Sequence, residues 1–177
     1  MERNFLIMTS LLILMICTVC FSAELSKDAQ IRQIRADYIL VEDSIRKIKP
    51  VSVTLNEFDN YLCYKADKKI LKIELFSEGV RTSFYYKNRK VFFIFIENAW
   101  NKSVQDSGQP FKEERVYIYN DKIIEALIKE TNGEDFVNVE NKTNEKILSS
   151  KLKYEKELLN GYFGAYVALQ TCEAVLK

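Results

Sequence analysis

The chain contains no histidine, and that omission decides most of the chemistry its residues could do. Ser-His-Asp and Cys-His nucleophile systems, and the usual zinc ligand sets, all need an imidazole. Acid–base work would fall to carboxylates, Lys, Tyr or Cys alone, and no catalytic residue, metal or cofactor is expected. Glu74, Glu97 and Glu125 are the carboxylates that strand periodicity assigns to one aromatic-rich sheet face. Two acids about 5 to 9.5 Å apart can divide the acid and base roles of glycoside hydrolysis, and sugars stack well on aromatic rings. On a surface rich in lysine, however, such carboxylates usually pair across strands with cations, here Lys65 and Lys72. A small hydrolase of envelope glycans is therefore the alternative to a non-enzymatic binding module.

Two further groups of residues could carry function. Phe84, Tyr86, Phe93 and Phe95 should lie side by side on that aromatic face, forming a patch larger than monomers usually leave exposed. A partner, a ligand, a second protomer or the segment 98–112 would cover it. That segment is long for a loop in a compact domain, and it holds Trp100, the only tryptophan, together with Phe111. Trp and Tyr commonly anchor interfaces. Either these two side chains recognise a partner or they fold the loop back over its own sheet.

The N-terminus sets the compartment in which any of this operates. Arg3 and Asn4 lead into an apolar run from Phe5 to Val19, followed by Cys20-Phe21-Ser22-Ala23. A run of this length is short for a membrane span and suits a signal peptide cleaved after Ser22. A retained anchor, or lipidation at Cys17 or Cys20, would be the alternatives. Removal of residues 1–22 leaves 23–177 as one domain, with Cys63 and Cys172 as its cysteines. In an oxidising compartment an even pair reads first as a disulfide, the alternative being two buried free thiols. The net charge of +1 argues against nucleic acid, whose binders carry a strong basic excess. A composition of 47% hydrophobic and 29% charged residues is that of a globular domain. Asn101-Lys102-Ser103 and Asn141-Lys142-Thr143 have the form of glycosylation sequons, which matter only in a eukaryotic host.

These residues need elements to position them. Ile31, Ile34, Tyr38, Val41, Ile45 and Ile48 recur at steps of three and four, which predicts a helix over about 27–48 ended by Pro50. Leu148, Leu152, Leu159, Tyr162, Phe163 and Tyr166 predict a second over about 143–174, with Gly161 and Gly164 inside it as sites of a bend or close approach. Between them three segments align without gaps: Tyr64 to Ile70, Tyr85 to Val91 and Tyr117 to Ile123. Each is Tyr, then Asp or Asn three residues on, then Lys two later, then an aliphatic. Asn and Asp tolerate the positive φ of a two-residue hairpin turn. The fold class expected is α+β: one antiparallel sheet of three tandem hairpins, about six strands with a candidate seventh at Val51–Leu55, flanked by the two helices. Strict alternation puts Tyr64, Leu71, Ile73, Tyr85, Phe92, Ile94 and Tyr117 on a core face under both helices. Cys63, Phe84, Tyr86, Phe93 and Phe95 then take the other face, with Cys63 pointing away from Cys172.

The hairpins, preceded by Ile31-Arg32-Gln33-Ile34-Arg35 and Tyr38, resemble a diffuse group of small exported bacterial proteins of unknown function, whose tandem hairpins read Tyr-Tyr-Phe-x-Asn-Gly-Lys-Leu. The resemblance covers about 31–129 and implies a compartment and a fold, with no activity attached. It fits an exported module of the cell envelope, periplasmic or secreted and not integral to the membrane once the signal is removed. Its partner would be an envelope macromolecule, a small apolar ligand or a second copy of the chain.

Overall fold

The computed structural model describes residues 25–54, 60–77, 79–98, 111–131, 142–143 and 152–176. The leader and its cleavage site lie outside them, as do Trp100 and most of 98–112. A helix, α1 (Lys27–Ile45), precedes seven strands: β1 (Val51–Thr54), β2 (Asn60–Ala66), β3 (Lys69–Ser77), β4 (Val80–Lys87), β5 (Lys90–Glu97), β6 (Phe111–Tyr119) and β7 (Lys122–Thr131). A two-residue β8 (Lys142–Thr143) and a helix α2 (Leu152–Val175) follow. All strands pair antiparallel in chain order, β1 to β8, in one sheet. The candidate strand at 51–55 is present as β1. Phe111 and Lys112, expected in a loop, instead open β6. The Asn98 N–H donates to the Lys112 carbonyl at 3.2 Å, and the Lys112 N–H donates to Asn98 Oδ1 at 2.7 Å, closing the connection at its base.

Local chemistry accounts for these elements. Ser26 caps α1, its hydroxyl accepting from the Ala29 N–H at 3.3 Å. The six central turn residues of the tandem hairpins all have positive φ: Asp67 and Lys68, Asn88 and Arg89, Asn120 and Asp121. Positive φ at both positions is the signature of the type I′ turn, whose twist matches that of the flanking strands. No glycine is used at any of them.

Each hairpin also carries the same bulge. Lys65 pairs with Ile70, but Tyr64 pairs with Lys72, leaving Leu71 unpaired. Phe92 and Ile124 are skipped in the same way in the second and third hairpins. The extra residue turns two successive side chains to one side, so every residue beyond it changes face. Ile73 and Ile94 therefore join Cys63, Phe84 and Tyr86, while Phe93 and Phe95 join Tyr64, Tyr85 and Tyr117. The expected faces hold for the first strand of each hairpin and for the second as far as the bulge residue, and invert beyond it.

The helices lie on opposite faces, contrary to the expectation that both cover one. α1 packs Ile31, Ile34, Val41 and Ile45 against Tyr85, Phe92, Phe93 and Tyr117. α2 packs Ala165, Ala168, Leu169 and Cys172 against Cys63, Ile73, Phe84, Tyr86 and Ile94. Both sheet faces are apolar in alternation, and each needs a cover. The close approach expected at Gly161 and Gly164 is not theirs, since a Cβ on either would meet open space. Among the described side chains of α2 those fully buried against the sheet are Ala165, Ala168 and Cys172, and Phe163 of the expected stripe points outward. Among the described residues no helix is long and apolar enough to cross a membrane.

Candidate functional site

The expected aromatic patch does not exist as a surface. Phe84 and Tyr86 are buried under α2, and the Tyr86 hydroxyl donates to the Ala165 carbonyl at 2.5 Å. Phe93 is buried under α1, within 5.4 Å of the Tyr38 ring and 5.2 Å of the Tyr117 ring, with Phe95 half-buried on the same side. The physical reason is the β4–β5 bulge at Phe92, which sends Phe93 and Phe95 to the face opposite Phe84 and Tyr86. Trp100 lies outside the described residues, and of Phe111 only its place at the start of β6 is described. Cys63 and Cys172 form a disulfide, with Cα atoms 6.4 Å apart. This is the outcome the expected faces argued against, and placing the helices on opposite sides of the sheet is what permits it.

Among the clefts that border α1, two differ sharply in chemistry. The first is polar. Lys72, 7% exposed, reaches Glu42 of α1 and Glu74 of its own strand, each at 2.9 Å. Its ammonium lies 5.0 Å from the Tyr85 ring centroid and 5.7 Å from that of Tyr64, so two aromatic faces attract the same cation. Tyr85 donates to Glu42 at 2.8 Å and Tyr64 to Glu74 at 3.0 Å. Burial, then the neighbouring Glu74 charge, pushes the Tyr64 phenol up to about 12, while burial and Glu42 raise Tyr85 and Tyr38. The phenols thus stay protonated, and those of Tyr64 and Tyr85 act as donors to the carboxylates. Arg81 contacts both Glu74 and Glu97, and Glu125 pairs with Lys27 of α1 at 3.2 Å. The three glutamates do share a face, as their spacing suggested. Each is engaged by a cation, and of the two lysines expected to pair with them only Lys72 does so. Lys65 donates instead to the Leu176 carbonyl at 3.0 Å. A cavity of about 490 Å³ opens beside this network.

The second cleft is apolar, with a volume of about 540 Å³. It lies at the turn end of the first two hairpins and runs past the sheet from one helix layer to the other. Leu40 and Val41 of α1, Leu71, Phe92 and Leu169 of α2 supply its walls. Leu71 and Phe92 are the bulge residues of these two hairpins, so the irregularity that inverts the strands also furnishes the cavity lining. Its mouth carries Lys68, Lys69, Lys87 and Arg89 against the carboxylates of Asp37 and Glu173. Lys87 pairs with Asp37 at 2.8 Å and Arg89 with Glu173 at 2.7 Å.

Sequence reasoning missed both clefts because both depend on the bulges. A signal was present: Ile70-Leu71, Val91-Phe92-Phe93 and Ile123-Ile124 break polar–apolar alternation immediately after each turn lysine. Comparison of the chain with family models, with curated proteins and with solved structures gave no match in any of the three.

Proposed function

We propose that this is an exported, non-enzymatic binding module that takes a small ligand with an apolar chain in the cleft between Val41, Leu71, Phe92 and Leu169. The cavity itself is the observation that carries this. A mostly apolar hollow of about 540 Å³ with a few polar groups at its mouth has the size and character of ligand sites, which run from about 300 to 1,000 Å³. Export is supported by the apolar run from Phe5 to Val19, by the resemblance to small exported hairpin proteins, and by a disulfide of the kind that persists in oxidising compartments. The carboxylates offer less to catalysis than to structure, since Glu74 and Glu97 are both committed to Arg81.

Calorimetric titration of the purified protein with straight-chain alcohols of increasing length tests the proposal. Burying one methylene is worth about 0.8 kcal/mol, so the affinity should rise about fourfold per methylene until the cavity is full. Leu71→Trp, which fills the hollow from a half-buried wall, should abolish binding while circular dichroism shows the fold retained. Affinity independent of chain length, or untouched by Leu71→Trp, would remove the proposal.

A further inference from the structure

We infer that the ligand of this cavity is a single-chain amphiphile whose anionic head, a carboxylate or a phosphate, is held at the mouth by Lys68; this rests on the apolar cavity being the binding site. Lys68 is the second residue of the first hairpin turn, with φ 66°. A left-handed conformation disfavours any residue with a Cβ, and glycine is the residue that avoids the penalty. The equivalent positions in the other two hairpins are also non-glycine, but each makes a bond that offsets the strain. Arg89 pairs with Glu173 of α2, and Asp121 pairs with Lys90 at 2.5 Å and accepts from Tyr166 at 3.3 Å. Among the described residues the Lys68 side chain has neither a hydrogen bond nor an ion pair, yet it lines the cavity, as does the equally unpaired side chain of Lys69, whose backbone pairs with Ala66.

A strained cation without a partner among the described residues points to one outside the chain. The charge at the mouth agrees. Asp37 and Glu173 are each matched by a cation, Lys87 and Arg89, which leaves Lys68 and Lys69 as positive charge in excess over an apolar floor. A neutral lipid would gain nothing from them, and a cationic one would be repelled. An anionic head with one hydrocarbon chain satisfies both halves of the site.

The test compares dodecanoate, dodecyl phosphate and dodecanol, equal in chain and different in head, on the purified protein and on Lys68→Gly at neutral pH. At least one anion should bind about two- to fivefold tighter than the alcohol, an exposed ion pair being worth up to roughly that factor, with the advantage shrinking in salt. The tighter anion identifies the head group. Lys68→Gly should melt at the same temperature as the parent protein or higher, because glycine accepts this φ, and should lose most of the preference while dodecanol binding is unchanged. If anions and alcohol bind alike, or Lys68→Gly keeps the preference, the head-group assignment is overturned although the cavity remains a binding site. If no dodecyl compound binds, the cavity proposal falls, and the head group with it.

Discussion

Reducing the Cys63–Cys172 disulfide should lower stability by about 4 to 5 kcal/mol, because the bond closes a loop of 109 residues and long loops lose the most chain entropy when cross-linked. It fastens the first hairpin to the last helix, and both cysteines are fully buried. A domain has about 5–15 kcal/mol in all, so the loss is a large share. For a chain of this size it corresponds to a thermal midpoint about 10 to 20 °C lower. Thermal melts with and without reductant, and of the Cys63→Ala/Cys172→Ala double variant, measure it. Equal midpoints would mean that α2 holds its place without the bond. The same cysteines report on compartment: protein taken from its own host after export should show no free thiol at either position when alkylated and weighed, and free thiols at both would count against export.

The second large effect is expected at Lys72. Lys72→Met removes the cation shared by Glu42 and Glu74 and leaves Glu74, 5% exposed, facing Glu42 with Arg81 as its remaining ion-pair partner among the described residues. Removing one partner of a buried ion pair typically costs about 3 to 5 kcal/mol, most of it the penalty of the charge left behind. Glu42 is partly exposed and keeps some solvent, so a value near about 3 kcal/mol is expected in urea unfolding. Adding Glu42→Gln and Glu74→Gln to Lys72→Met should restore much of that loss, because no buried charge then remains unmatched. A triple variant as unstable as the single one would show that the lysine stem contributes packing and the ion pairs do not matter.

The sequence carried its turns and strand order plainly. Tyr64, Tyr85 and Tyr117, each with Asp or Asn three residues on, mark three hairpins, and all six turn residues adopt the positive φ that such turns require. The helical stripe from Ile31 to Ile45 was also legible, since each of its members packs on the sheet. Side-chain direction was not, because a single unpaired residue reverses everything after it. Leu71, Phe92 and Ile124 are apolar residues beside apolar residues, and alternation has no rule for which of two neighbours is extra. The placement of α2 was hidden for a related reason. Its buried face includes, beside Leu169, the small residues Ala165, Ala168 and Cys172, which weigh little in an apolar stripe beside Phe163, although Phe163 faces outward. The polar cleft was illegible because Glu42 and Lys72 lie on different elements, and a lysine between strand aliphatics reads as solvated until a helix covers it.

The measurement that bears most directly on the binding site is a crystal structure of the protein with dodecanoate brominated at its methyl end. Anomalous scattering from bromine should give one peak among Val41, Leu71 and Leu169, with the carboxylate toward Lys68. A peak in the polar cleft beside Tyr64 and Arg81, or only on the outer face of α2 against Phe163 and Val167, would contradict the assignment.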